Sequence, residues 1–177
     1  MIGTLLGDGY MRIVPRRRNA FLEVNHSASQ RDYVDWKYSI LESIVKSRPK
    51  LRNGNGNRIA YRFFTRCLSE ITDLYRKFYK DGKKVIPPDL EINPFGLAVW
   101  FMDDGSRSGG SLYLNTQQFS IEDQIVLQKL LLNRFDINSS LNKDKEYMRI
   151  RIRTKDAIKF CNIIRQHVPI SMQYKLV

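Results

Sequence analysis

Cysteine and histidine are scarce in this chain of 177 residues, with two of each. Cys67 and Cys161 lie far apart, and His26 and His167 are isolated from them. A structural zinc site needs clustered thiolate and imidazole ligands, so this spacing argues against one, and both thiols read as core residues. Acidic residues are also under-represented. Eighteen Asp plus Glu face 30 Lys plus Arg, giving a net charge of +12 and a pI near 9.9. Such an imbalance favours a polyanionic partner, with nucleic acid first and an anionic membrane second. Long apolar runs are missing: none approaches the roughly 20 residues that a spanning helix needs. Asp8 interrupts the N-terminal apolar stretch, which argues against a secretory signal. The expectation is an intracellular, non-secreted chain without a membrane partner, whose 42% hydrophobic content supplies a real core.

What is present is an internal repeat. Leu22, Val24 and Asn25, followed by a polar turn and a helix, recur about ninety positions later as Leu112, Leu114 and Asn115. Arg62 and Thr65 match Arg151 and Thr154 in the same way, and Lys84 matches Lys175. Each half reads as helix, two strands, helix, two strands, helix. In the first, a helix ends near Gly9, strands cover about Tyr10 to Val14 and Phe21 to His26, and a helix covers Gln30 to Lys46. Strands near Lys50 and over Arg58 to Arg66 follow, joined by the hairpin signal Asn53-Gly54-Asn55-Gly56-Asn57, then a helix from Leu68 to Tyr79. The second half gives a helix to Asp104, a strand near Leu112 to Gln117 and a helix from Glu122 to Phe135. A hairpin over Ser140 to Arg153 and a helix from Lys155 to His167 complete it. The expected division is a first half at 1–81, a linker at 82–93 with two adjacent prolines, and a second half at 94–177.

The strands carry the charge on one face. Arg149, Arg151 and Arg153 alternate with Met148, Ile150 and Ile152, and a period of two places the guanidinium groups together. In the first half Arg58, Arg62 and Arg66 share a face opposite Ile59, Tyr61 and Phe63. Glu23, Asn25 and Ser27 alternate with Leu22, Val24 and His26, as Tyr113, Asn115 and Gln117 do with Leu112 and Thr116. Arginine reads guanine edges in a major groove, and Asn or Gln reads adenine. Any half-buried sheet has a polar outer face, but four such strands in a two-fold repeat favour DNA. Arg12 belongs with this set, and Arg16, Arg17 and Arg18 in a hairpin tip suit phosphate contacts.

The most informative stretch is Leu97 to Gly105, LAVWFMDDG, because a degenerate copy, MIGTLLGDG, spans Met1 to Gly9. Each copy is an apolar helical run that delivers one carboxylate, Asp8 or Asp104, before a helix-stopping glycine. An acid at a helix C-terminus opposes the helix dipole, and two at equivalent positions demand a compensating role. If the two helices pack together the acids converge and repel, and a divalent cation relieves the conflict. Hard oxygen ligands select Mg²⁺, which accepts phosphate oxygens. Gly3 and Gly7 permit close backbone approach in the first copy, where the second has Val99 and Asp103, so the contact must be asymmetric.

The nine-residue pattern resembles the LAGLIDADG motif of homing endonucleases, and its double occurrence resembles their single-chain, two-motif branch. The resemblance implies an α+β fold of two αββαββα repeats, with motif helices packed at the interface and antiparallel sheets forming a DNA-binding saddle. It implies a monomer that hydrolyses one phosphodiester per strand of a long, nonpalindromic duplex, leaving short 3′ overhangs. Asp8 and Asp104, with the backbone of Gly7 and Asp103, would hold Mg²⁺, and Ca²⁺ would support binding without cleavage. Lys84 and Lys175 would lie near the scissile phosphates, and Gln117 near the attacking water, with the short Ser27 as its first-half partner. An organelle or a prokaryotic cytoplasm would be the setting, and intron RNA is a further partner the family allows. Two rivals are an RNA maturase on the same scaffold and a noncatalytic DNA-binding regulator. The regulator would have no need of the paired acids or the two lysines.

Overall fold

The computed structural model describes every residue except Asn55, Asn57 and Val177, so two residues of the expected glycine-rich turn lie outside the description. The chain forms two compact units, residues 8–76 and residues 1–7 with 77–177. In chain order the helices are α1 (Ile2–Leu6), α2 (Arg31–Leu41), α3 (Ser69–Phe78), α4 (Pro94–Asp104), α5 (Ile121–Phe135) and α6 (Thr154–Ile164).

In the unit of residues 8–76, β1 (Tyr10–Ile13), β2 (Ala20–Ser27), β3 (Lys50–Asn53) and β4 (Ile59–Phe64) form an antiparallel sheet in the order β1-β2-β4-β3. Leu22, Val24 and His26 are buried, whereas Glu23, Asn25 and Ser27 are not, so the alternation expected of β2 is observed. The apolar side packs on Tyr33 and Val34 of α2 and includes Phe63. Three expectations need correction here. The helix expected to reach Lys46 stops at Leu41, followed by one 3-10 turn, because Val45 bridges Thr65 and Lys46 N–H donates to the Phe64 carbonyl. Ile59 is exposed, since it opens β4 opposite Asn53 at the far end of the hairpin. Cys67 is exposed as well, on the connection between β4 and α3, and only Cys161 is a core thiol.

In the other unit, β7 (Gly105–Ser108), β8 (Ser111–Leu114), β9 (Ser139–Asp144) and β10 (Tyr147–Ile152) repeat that order as β7-β8-β10-β9. Strand β7, with the sequence GSRS, has no apolar alternation and escaped the sequence reading. Pairing with β8 across the positive-φ turn Gly109-Gly110 creates it. A two-residue hairpin, β5 (Tyr79–Lys80) and β6 (Lys83–Lys84), turns at Asp81-Gly82, both with positive φ, where the sequence placed the start of a linker.

Helix α4 begins at Asn93, whose side chain accepts from Gly96 N–H, with Pro94 at its first position. It is buried from Gly96 to Met102, as befits a helix covered on all sides. Helix α1 packs against it. A Cβ on Gly3 would sit 2.1 Å from the Gly96 carbonyl oxygen and 2.9 Å from Val99 Cβ, and one on Gly7 would sit 2.4 Å from Asp103 Cβ. The glycines of α1 therefore make room for the larger residues of α4, which is the expected asymmetry.

Candidate nucleic-acid interface and acidic site

The two acids end their helices differently. Asp104 is the last residue of α4, as expected. Helix α1 stops at Leu6 with Gly7 as its cap, so Asp8 stands beyond the helix. Asp8 is 44% exposed, and its Oδ2 lies 3.4 Å from Nδ1 of the buried His26. Asp103 packs its carboxylate against Gly7.

Each predicted lysine reaches a motif-helix end within its own unit. Lys84, carried by β6, donates to the Gly7 carbonyl at 2.9 Å. Lys175, in the 3-10 turn Ile170–Lys175, donates to the Met102 carbonyl at 2.6 Å and faces the Asp103 carbonyl at 3.4 Å. A cation at a helix C-terminus satisfies carbonyls that lack helical partners and complements the dipole. The two ammonium groups thus have a structural role at the motif-helix ends.

On the first sheet, Arg62 Nη1 donates to Glu23 Oε1 at 3.0 Å, and its guanidinium lies 5.1 Å from the Phe64 ring centre. On the second, Arg149 Nη1 donates to Asn115 Oδ1 at 3.2 Å, over the Tyr113 ring at 4.3 Å. The buried Nε of both arginines has no hydrogen-bond partner among the described residues. Sheet register makes them equivalents. Glu23 pairs with Phe64 and Tyr113 with Arg151, so Arg62 corresponds to Arg149 and Phe64 to Arg151. The sequence match of Arg62 with Arg151 is two residues out of register. The register shifts because the hairpins before these strands differ in length, one closing at Asn53–Ile59 and the other at Asp144–Tyr147.

The remaining predicted contacts are spread over both sheets. Arg151 donates from Nε and Nη2 to Ser111 Oγ, and Gln117 donates to Asp144 Oδ2 at 2.8 Å. Arg153 is exposed at the N-cap of α6. Arg12 lies over Phe21, Ser27 caps the 3-10 turn after β2, and Asn25 faces solvent opposite Arg62. Arg16, Arg17 and Arg18 are exposed around a turn in which Arg16 has positive φ. Arg58 and Arg66 are exposed just outside β4.

Sequence reasoning missed Ser111, Asp144 and, above all, Lys37. Lys37 is 2% exposed, and its Nζ lies 3.3 Å from His26 Nε2. Lys37 shares the buried helical face of Tyr33 and Val34.

An apolar helix with an acid at or just past its end, and a sheet of order 1-2-4-3 with arginine and amide side chains, each present twice, define a class. The chain belongs to the LAGLIDADG DNA endonuclease family, whose model matches residues 1–160. Over its full length it is 31% identical to a probable intron-encoded endonuclease of Wickerhamomyces canadensis, covering 82% of that protein. A solved structure of the homing endonuclease I-WcaI bound to its DNA recognition sequence superposes with a TM-score of 0.91 at 31% identity, covering 99% of this chain and 83% of that one. A cytochrome b mRNA maturase of Debaryomyces hansenii is 26% identical over 81% of this chain, which spans 58% of that protein.

Proposed function

We propose that this chain is a site-specific endonuclease that cuts both strands of a long, nonpalindromic DNA duplex as a monomer, leaving short 3′ overhangs. The observation that carries the reading is the full-length likeness to a homing endonuclease bound to its recognition sequence. The basic charge and the two arginine-bearing sheets support the same partner.

Asp8 and Asp104, with the Gly7 and Asp103 carbonyls, are the residues we assign to a divalent cation, Mg²⁺ in the working enzyme. The donor set fits: carboxylates and carbonyls are hard oxygen ligands, and a carbonyl that accepts from a lysine keeps a second lone pair. When bound, the ion polarises the scissile phosphate and offsets charge on the leaving 3′ oxygen. Lys84 and Lys175 hold the helix ends that carry the acids and supply positive charge for the phosphate. Gln117, steadied by Asp144, orients a water through its amide. Arg62, Arg66 and Asn25 read one half-site, and Arg151, Arg153 and Asn115 the other, while Arg16, Arg17 and Arg18 bind phosphates. The likeness to a maturase favours structured intron RNA as a second partner, and the protein works inside the cell, where its DNA is.

The test is selection of cleaved duplexes from a randomised library with Mg²⁺, alongside binding to structured intron RNA. Recovery of one long sequence cut on both strands is the expected result. Duplexes that are bound but never cut would favour the regulator, and RNA binding without DNA cleavage would favour the maturase.

A further inference from the structure

We propose that Lys37 and His26 are positioning residues for Asp8, and that they make the two strand cuts unequal, because the equivalent second-half positions carry Leu127 and Thr116. The inference rests on the endonuclease reading above. Within residues 8–76 three groups line up. Lys37 Nζ lies 3.3 Å from His26 Nε2, and His26 Nδ1 lies 3.4 Å from Asp8 Oδ2. Lys37 is taken as the donor: an ammonium has hydrogens and no lone pair, so Nε2 accepts and the imidazole proton sits on Nδ1, facing the carboxylate. The lysine thereby selects the tautomer that can donate to Asp8. Tyr33 holds both partners: its ring lies edge-on to His26 at 5.3 Å and under Lys37 Nζ at 4.8 Å.

Packing alone does not call for this arrangement. Lys37 is 2% exposed and His26 3%, and an ammonium is an expensive core residue. At the ninety-residue offset the second half fills the same places with fully buried Leu127 and with Thr116, whose hydroxyl donates to Gln124 Oε1 at 2.9 Å. That network is neutral: Thr116 also accepts from Ile150 N–H. The same fold therefore has an apolar solution at the lysine's position, and the first half uses a charged one that ends on its acid.

Two measurements on the full chain test the proposal. First, ¹⁵N spectra of histidine-labelled protein, with His167→Gln to assign His26, report the tautomer without DNA or metal. The Nδ1-protonated form is expected, lost in Lys37→Met and kept in Lys37→Gln, whose amide still donates. An Nε2-protonated ring or an imidazolium in the unmodified chain overturns the relay and leaves the endonuclease reading intact. Second, single-turnover cutting of a selected duplex, labelled on each strand, is compared for the unmodified chain and Lys37→Met. One strand should slow by about 10- to 100-fold relative to the other, as for loss of an outer-shell partner. Equal slowing of both strands, or no change in their ratio, overturns the proposal. So does loss of the folded state in both Lys37 variants, which would make Lys37 a packing residue. If the unmodified chain cuts no duplex, the endonuclease reading fails and takes the inequality of cutting with it.

Discussion

The two sheets share one strand order, yet their undersides are built from different chemistry. Beneath the first lie Lys37, His26 and a line of polar contacts to Asp8. Beneath the second lies a neutral amide knot. Gln124 accepts from Thr116 and donates to the Phe119 and Met148 carbonyls, and Thr116 accepts from Ile150 N–H. The neutral knot satisfies backbone groups and has the character of structure. The charged line consumes desolvation energy and ends on a motif acid, which is the character of function. A two-fold repeat lets the halves be judged against each other, because the backbone is held constant while the chemistry varies.

This contrast sets a series of expected effects. The largest concerns the lysines that treat both halves alike. Lys84→Met and Lys175→Met should each slow cleavage by about 10²–10³-fold, the scale of losing one preorganised charge stabiliser. Because each also caps a helix end, melting should show a loss of about 1 kcal/mol. Equal rates with lowered stability would reduce both lysines to caps. Next, Gln124→Leu should destabilise the fold by about 1–3 kcal/mol, since it strands the Thr116 hydroxyl and two carbonyls, yet leave the ratio of strand cuts unchanged. A changed ratio would mean that the second half also tunes its acid. Arg151→Ala should then cost about 1–3 kcal/mol of discrimination at one localised position of the site, measured by competition among single-base variants. Uniform loss would assign Arg151 to phosphate.

The smallest effect is expected at an exposed pair. Lys159 donates to the Asp136 carboxylate and holds its pKa below the ordinary value. A carboxyl depressed in the folded state contributes stability above its unfolded pKa and loses it as pH falls through the folded one. Lys159→Met should therefore lower the melting temperature slightly at neutral pH, leave it unchanged at the acid end, and so flatten the decline between them.

Much of this was legible in the sequence. Two motif copies and an offset near ninety foretold the repeat, and the alternation in β2 and β10 separated their buried from their polar faces. What escaped depended on pairing between distant residues. Strand β7 forms only because β8 is beside it, and α2 yields its last turn to the Val45 bridge. Lys37 was hidden for another reason: a lysine on a helix reads as solvated until the depth of its face is known. His26 had been placed on the apolar side, but nothing local said that Asp8 and Lys37 would meet its two nitrogens.

Asp8 and Asp104 are the residues proposed to make this chain an enzyme. The most direct measurement is nicking and linearisation of a supercoiled plasmid bearing the selected site, with binding assayed separately in Ca²⁺. Loss of a metal-holding charge is worth several kcal/mol, so Asp8→Asn and Asp104→Asn should each cut linearisation by at least about a thousandfold. Both should bind the site nearly as well as the unmodified chain. If the acids share ions, both strands will suffer in either variant, whereas independent sites will leave a nicking enzyme. Near-normal linearisation by either variant would contradict the account.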